Sequence, residues 1–473
     1  MSTTNLSRRR FMKSSAALAA GISIPGVAPA FSAPVINNSS NANKKALVFI
    51  MLDGGNDSYN MLIPTSDKHY ADYQKTRSNL ALTKSSLLPL NNFKDNQQRS
   101  FALHPSMGEV QQLFAQKKLS FIANIGPMVE PVTKASFKNN SAKLPLGLMS
   151  HSDQFKHWQS ARPDQRINQG WFGFMADTMQ PNRAMSQIPM GISLAGRNIM
   201  QDGVNSTSYA ITDKGSIGLA VKPSRNQPSD VRELNRLIVK NFESLLSQEY
   251  AGDPFKQTYL SLTREAQSQH ENFQTAVKNI KVSSYFSDTP LSQQLKKVAQ
   301  SIKAADKLST PQQTFFVRYI GWDHHDELLS NQQRMLKVLS NALGEFQSSL
   351  EQLGISKQVI TMTGSDFGRT LTSNGNGTDH AWGGNVMVMG DSIKGGQVFG
   401  QYPELTLGDK NPLDVGNGVL LPTTSIDEAY AELALWFGAE PSSLDQLFPN
   451  LHRFHNFSSG KMPLGMVKKT RTS

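Results

Sequence analysis

The sequence predicts a three-layer α/β/α protein, in which helices cover both faces of a mostly parallel central sheet. Five short apolar runs lead to this prediction, because runs without polar alternation are typical of strands buried on both faces. An amphipathic helical pattern over residues 326–353 lies between two of the runs, which gives the strand–helix–strand order of a βαβ unit. The five runs are residues 46–52, 119–125, 314–320, 358–363 and 385–389.

The helices are predicted from apolar spacing and from residues suited to helix ends. The helix over 326–353 is followed by Gly354, which suits the left-handed position after a helix. A final helix is predicted over 425–437, with Ser425 or Thr424 as N-cap and Gly438 as its stop. Residues 228–306 are polar with helical periodicity, and they predict a helical insertion lying against the sheet. Residues 45–473 are therefore expected to form one α/β domain that contains this insertion.

The N-terminus has the composition of an export signal. Residues 1–30 place a basic region before a short apolar run and end in Ala28-Pro29-Ala30, as a cleavable signal peptide does. Residues 7–13 also match the twin-arginine pattern S-R-R-x-F-x-K at every position. The apolar run is about half of the ~20 residues that a membrane span needs, so no stable membrane anchor is expected. The sequence predicts recognition by the twin-arginine export machinery, a linker over 31–44, and a periplasmic or secreted protein.

The amino-acid composition excludes several kinds of catalytic site, metal site and partner. The chain of 473 residues has no cysteine, which excludes disulfides, a thiol nucleophile and thiolate metal sites. The net charge of +11 falls to about +7 without the four basic residues of the leader. The remaining charge forms no basic stripe, so a nucleic-acid partner is not expected.

Two acidic motifs follow predicted strands, where the sites of open α/β sheets lie. Asp53 begins the segment DGGND after the first strand, and its carboxylate could coordinate a divalent cation or only shape a turn. Ser58 and Asn60, just beyond, could be ligands or turn caps. Asp323 and His325 of WDHHD project to the same side of an extended segment, and carboxylate with imidazole suits zinc, manganese or iron(II).

Two further motifs lie between the last two predicted strands. GSDFGRT places Asp366 just beyond a strand and Arg369 three residues later, and an arginine can donate two hydrogen bonds to a phosphate or sulfate. The glycine-rich segment that follows holds Asp379 and His380. Both motifs could also be ordinary glycine-rich turns.

A third segment offers hydroxyl groups as candidate nucleophiles. Ser150, His151 and Ser152 precede a predicted helix, and either serine could be a metal-activated nucleophile or only an N-cap. His151 is the third candidate for a catalytic role in this segment. The pattern G-x-S-x-G is absent, which argues against the nucleophile of an α/β-hydrolase.

Together, the ordered motifs resemble the DUF1501 family of exported bacterial proteins over nearly the whole mature chain. The motifs are the leader, LDGGNDSYNMLIP (52–64), SHSDQ (150–154), GWFG (170–173), GWDHH (321–325), GSDFGRT (364–370) and GTDHAWGG (377–384). The family fold resembles the alkaline phosphatase superfamily, whose phosphatases and sulfatases use a two-metal site and a serine, threonine or formylglycine nucleophile.

This resemblance implies roles for individual residues. It assigns metal ligation to Asp53, Asp323, Asp366 and His380, together with either His324 or His325. Phe367 stands where the superfamily has a histidine, which leaves the second metal open.

The expected function is metal-dependent hydrolysis of a small phosphate or sulfate ester, with zinc, manganese or calcium as the metal and Arg369 orienting the substrate anion. The alternative is a phosphatase-like scaffold that has lost catalysis and acts as an exported binding or assembly factor.

Overall fold

A ten-stranded, mostly parallel sheet forms the centre of the protein in the computed structural model, which describes residues 44–184, 187–218, 223–249, 252–457 and 460–468. The predicted α/β class with a mostly parallel central sheet is confirmed. The strands are β1 (Lys45–Asp53), β2 (Leu62–Pro64), β3 (Leu88–Pro89), β4 (Phe101–Leu103), β5 (Leu119–Gly126), β6 (Gly191–Ser193), β7 (Tyr209–Thr212), β8 (Gly215–Ser216), β9 (Gln312–Ile320), β10 (Val359–Ser365), β11 (Gly384–Met389), β12 (Val398–Gly400) and β13 (Thr424–Ser425).

Helices lie between these strands along the chain. They are α1 (Asp67–Arg77), α2 (Gly108–Ala115), α3 (Lys134–Lys138), α4 (His151–Ser160), α5 (Trp171–Met179), α6 (Ser229–Leu246), α7 (Pro254–Val277), α8 (Pro290–Lys303), α9 (Leu328–Gln352), α10 (Ile426–Phe437) and α11 (Leu444–Leu447). Strands β2, β4 and β3 form a separate small sheet.

The two faces of β1 belong to two different hydrophobic cores. Val48, Ile50 and their alternating neighbours pack into the core that includes side chains of α8 and α9. Phe49 and Met51 pack into the core that includes side chains of α5 and α10. Helices therefore cover both sides of the sheet, which explains why the run 46–52 has no polar alternation.

Strand direction decides which loops meet. The sheet order is β12-β5-β11-β10-β1-β9-β6-β7-β8, with β13 also paired to β5. Strand β1 is parallel to both β9 and β10, so the three strands end at the same edge. Strand β11 is antiparallel to β10, so β11 begins at that edge. The loop before β11 consequently joins the loops that follow β1, β9 and β10.

The helix ends follow the expected chemistry. Gly354 has a φ of 68° and follows Leu353, the C-cap of α9. Ser425 caps α10 through a reciprocal capping box with Glu428, and Gly438, with a φ of 124°, follows the helix. These contacts satisfy backbone groups that helix ends leave without partners.

Within residues 228–306, three helices form but pack differently. Helix α8 buries Leu295, Val298 and Ile302 in the core beside the sheet. In helix α6, no residue is buried. The leader and residues 31–43 of the linker lie outside the described residues. In the described part of the chain, no helix combines the length and the apolar character needed to cross a bilayer.

Candidate metal centre

Three loops are fastened to one another at the carboxyl edge of the central strands. The backbone amides of Gly321 and Trp322 donate to the carbonyl of Asp53, at 3.2 and 3.1 Å, and join the loops after β9 and β1. The amide of Thr378 donates to the carbonyl of His324 at 3.2 Å, which adds the loop before β11. Backbone hydrogen bonds of this kind fix the positions of the side chains that the loops carry.

Gly54 permits the closest of these approaches. Its φ is 119°, and a Cβ at this position would lie 2.6 Å from the backbone nitrogen of Asp323. A side chain would therefore be strained by conformation and blocked by the neighbouring loop. The glycine in DGGND serves loop packing beside Asp323.

His151, Asp323 and His380 form the centre of the site. One ligand atom from each lies within 4.8 Å of the other two, although the residues come from the start of α4, the loop after β9 and the loop before β11. The Oδ2 atom of Asp323 is 3.4 Å from Nε2 of His151, and its Oδ1 atom is 3.3 Å from Nε2 of His380. His325 is adjacent, with its Nε2 atom 3.0 Å from both Nε2 of His380 and Oδ1 of Asp323.

The donor set fits a divalent transition metal. Zinc bonds to histidine nitrogen at roughly 2.0–2.1 Å in tetrahedral geometry, which places neighbouring ligand atoms roughly 3.3 Å apart. Nε2 of His380 lies 3.3 Å from Oδ1 of Asp323, close to that spacing, whereas Nε2 of His151 faces the other carboxylate oxygen, Oδ2, at 3.4 Å. Two imidazoles and one carboxylate, with the imidazole of His325 adjacent, favour zinc or manganese over calcium, which prefers an all-oxygen shell.

Contacts behind the two central histidines fix their orientation. The Nδ1 atom of His380 donates to the carbonyl of Met149 at 3.0 Å, so its Nε2 atom faces the centre. The Nδ1 atom of His151 lies 2.8 Å from Oδ2 of Asp366, in the arrangement that orients and strengthens a histidine ligand. Burial lowers the pKa of His380, which favours the neutral imidazole that a metal requires.

Arg369 fixes the orientation of the Asp323 carboxylate. Its side chain is fully buried and donates to Oδ1 of Asp323 at 2.7 Å and to Oγ1 of Thr378 at 3.2 Å. Partial burial acts to raise the pKa of Asp323, but the hydrogen bond and charge of Arg369 outweigh burial and hold that pKa below its ordinary value. The carboxylate is thus kept ionised.

Asp366 is enclosed beneath the centre. Its side chain is 1% exposed, and burial raises its pKa to about 6 despite the hydrogen bond to His151. Its Oδ1 atom has no hydrogen-bond partner among the described residues. Asp366 therefore lies behind His151 and outside the central group of three donors.

The other predicted site residues occupy different surroundings. Asp53 forms an ion pair with Arg318, whose Nε and Nη2 atoms both contact Oδ2. Within the described residues, no hydrogen bond joins Ser150 or Ser152 to the central group, and their hydroxyls lie 3.1 Å from each other. The ring of Phe367 packs against both histidines, with centroids 4.3 Å from His380 and 4.8 Å from His151, while the two histidine rings lie 4.5 Å from each other.

The structure distinguishes the two adjacent histidines. His325 lies beside the central group, whereas His324 is 5% exposed and packs against Trp322, with ring centroids 6.1 Å apart. Burial lowers the pKa of His324, and neither of its ring nitrogens has a partner among the described residues. His325 is therefore the candidate ligand of the two.

Ser58 and Asn60 form hydrogen bonds within the fold. The hydroxyl of Ser58 accepts from the amide of Asn385, and the side-chain amide of Asn60 donates to the carbonyl of Leu80.

Two features of the site could not be foreseen from the motifs. Arg318 lies within β9, outside every motif, and reaches Asp53 because the strand register pairs it with Met51. His151 was grouped with the serines as a catalytic candidate, but it is one of the three central donors. Its position at the start of a helix was its only sequence signal.

Comparisons with known proteins cover most of the chain. A sequence-family model described as a protein of unknown function, DUF1501, matches residues 44–419. No curated protein matches the chain. Among solved structures, the chain is similar to Ps i-CgsB in complex with k-i-k-neocarrahexaose, with 11% identity over 87% of this chain and 76% of that one and a TM-score of 0.31. It is also similar to a mutant of the alkaline phosphatase PafA, with 10% identity over 70% of this chain and 64% of that one and a TM-score of 0.27. A third similar structure is the PsFucS1 sulfatase from Pseudoalteromonas sp., with 9% identity over 80% of this chain and 73% of that one and a TM-score of 0.28. Scores this low carry no argument about the function of this chain.

Proposed function

Since the chain belongs to the DUF1501 family of unknown function, we propose from its site alone that it is a metal-dependent hydrolase of phosphate or sulfate esters. The observation that carries this proposal is the convergence of His151, Asp323 and His380 at the carboxyl edge of the sheet. Separate elements supply the three donors, and each donor has its own buried or backbone partner behind it. Such support is expected of a metal centre, because ligand orientation controls affinity.

His151, Asp323 and His380 would hold the ion, with His325 as a fourth ligand. The donor set favours zinc or manganese. A bound divalent cation supplies Lewis-acid polarisation of an ester oxygen and stabilises the negative charge of the transition state. Asp53 and Asp366 lie outside this group, and the apolar ring of Phe367 packs against both histidines, so we propose one metal rather than two.

The chain itself would bind and orient the anion. Arg318 is 40% exposed beside Asp53, and its guanidinium could donate two hydrogen bonds to phosphate or sulfate oxygens. Arg369 is fully buried against Asp323, so it would position that ligand rather than contact the substrate. In the hydrolysis, water adds its hydroxyl to phosphorus or sulfur, the ester bond breaks, and a proton passes to the leaving alkoxide. A two-step route to the same products would form an ester on Ser150 or Ser152 as the alkoxide leaves, and water would then hydrolyse that ester.

The alternative is an exported binding or assembly factor that retains the metal without catalysis. Phe367 supports it, because an apolar ring packs against both His151 and His380. The pairing of Asp53 with Arg318 also supports it, since both groups then satisfy each other.

Two measurements on the same preparations separate these possibilities. The protein is equilibrated with zinc or manganese, its metal content is measured, and turnover is followed on a panel of aryl phosphates and aryl sulfates. The hydrolase proposal predicts one ion per chain and metal-dependent turnover, and Asp323→Ala loses both. Asp306→Ala, which removes a surface acid, is the matched control. Metal binding without turnover favours the alternative, and an absence of both contradicts the metal centre.

We also propose export by the twin-arginine machinery, from the pattern in residues 7–13. Replacing Arg8 and Arg9 by lysine keeps the charge but removes the arginine pair. Cell fractionation should then show the protein retained inside the cell. Unchanged export of the double variant would contradict this route.

A further inference from the structure

Helices α6 and α7 leave an apolar surface uncovered, here called the hairpin face. Leu234 of α6 is 57% exposed, and Phe255 and Tyr259 of α7 are 89% and 70% exposed. Monomeric proteins rarely leave large apolar patches exposed. The hairpin face comprises Val231, Leu234, Leu237, Ile238, Leu245, Phe255, Tyr259 and Leu262.

The apolar residues of α6 follow helical geometry closely. Val231, Ile238 and Leu245 are seven residues apart, and Leu234 lies on the same stripe between the first two. Arg236 and Lys240 lie on the opposite side of the helix. Since helical stability in proteins comes mainly from packing an apolar face, a helix with no buried residue requires a cover.

The hairpin has a firm attachment to the rest of the chain. The C-terminal half of α7 buries Phe273, whose ring lies 5.7 Å from that of Tyr209. The guanidinium of Arg264 in α7 donates to the carbonyls of Leu246 and Gln248 at the end of α6. The exposed residues therefore lie on two helices that are joined to each other through Arg264 and to the rest of the chain through Phe273.

We propose that the hairpin face is the interface between two copies of this chain. Taken at roughly 100 Å² for each exposed side chain, the eight residues would bury about 800 Å² per copy, which is the share of one partner in a standard interface. The exposed aromatic residues Phe255 and Tyr259 are of the type that anchors interfaces.

Charge also favours a second copy over a membrane surface. Residues 229–246 carry three acidic and three basic side chains, so α6 has no net charge. An anionic bilayer would attract a basic helix, and α6 offers it no net positive charge. A two-fold axis near Ile238, in the middle of α6, would bring α6 and α7 of both copies into a four-helix arrangement.

The absence of cysteine makes a crosslinking test clear. In an Ile238→Cys variant of the full chain, mild oxidation should link two copies, because a residue near a two-fold axis approaches its own equivalent. Lys240→Cys, on the opposite side of the same helix, is the control and should give little crosslinking. Equal crosslinking of both variants, or none for Ile238→Cys, would overturn the proposal.

Sedimentation velocity provides a second readout that does not depend on cysteine. The native protein should sediment as two copies at micromolar concentration, and Leu234→Ser/Ile238→Ser should raise the dissociation constant at least 100-fold. Arg236→Ser/Lys240→Ser removes two side chains from the opposite side and should leave the dissociation constant within threefold. Circular dichroism checks that the variants remain folded. A native protein that stays monomeric, including one that instead binds lipid vesicles, would contradict the proposal.

Discussion

Replacing Asp366 by asparagine tests the support behind His151. The carboxylate of Asp366 lies 2.8 Å from Nδ1 of His151 and is 1% exposed. Asparagine keeps the size and one acceptor oxygen, but it removes the negative charge. His151 should then be a weaker and less firmly oriented ligand, while the other donors remain in place.

The expected loss of zinc affinity follows from the type of hydrogen bond that Asp366→Asn removes. A hydrogen bond to a charged group contributes about 1.5–3 kcal/mol, and a neutral one contributes about 0.5–1.5 kcal/mol. Their difference of roughly 1–1.5 kcal/mol corresponds to about a tenfold change in a binding constant. Partners behind metal-bound histidines change metal affinity by about 10–100-fold. Asp366→Asn is therefore expected to weaken zinc binding about tenfold, and at most about 100-fold.

Competition with a chromophoric chelator measures the zinc dissociation constant directly. Asp202→Asn is the matched control, since Asp202 is also buried and paired, with Arg197, outside the central group. This control should bind zinc as the native protein does. If Asp366→Asn also bound zinc with native affinity while remaining folded, the assignment of Asp366 as the partner of a metal-ligating His151 would be wrong.

Three further predictions concern a loop glycine and two sets of buried polar side chains. Gly54→Ala places a Cβ 2.6 Å from the nitrogen of Asp323, so it should cost about 1–3 kcal/mol of stability and weaken zinc binding, as urea unfolding and metal titration would show. Arg77→Met leaves the fully buried Asp57 without its partner, so unfolding free energy should fall by about 3–5 kcal/mol, and adding Asp57→Leu should restore much of it. Burial lowers the pKa of His104 to about 4 from 6.5, so its neutral form stabilises the fold fully above about pH 6.5. That contribution is lost on acidification, by about 2 kcal/mol at pH 5, and His104→Gln should flatten this dependence in unfolding measured across pH.

The central strands could be predicted because burial on both faces leaves a direct trace in composition. Run 46–52 contains only apolar residues, since its alternate side chains enter two cores. The direction of a strand, parallel or antiparallel, leaves no such trace in the composition of the sequence. Eighteen residues separate β10 from β11, a length that permits either direction, so the antiparallel course of β11 appears only in the structure. That course is what delivers His380 to the site.

The site could be predicted as far as strand ends gather polar side chains. Asp323, His325 and His380 were expected together, and their ligand atoms lie 3.0–3.3 Å apart. The pairing of Asp53 with Arg318 was not foreseen, because it depends on the register of β1 and β9. The helical pattern of α6 was likewise visible, but apolar spacing identifies only the face that needs a cover and not what provides it.

Anomalous diffraction from crystals of the protein equilibrated with zinc tests the metal centre most directly. One anomalous peak per chain is expected at the zinc absorption edge, at roughly 2.0–2.2 Å from ligand atoms of His151, Asp323 and His380. The peak should be absent from His151→Ala/His380→Ala crystals treated in the same way. A native structure without a peak among these three side chains, or with its zinc bound elsewhere, would show that they do not form a metal centre.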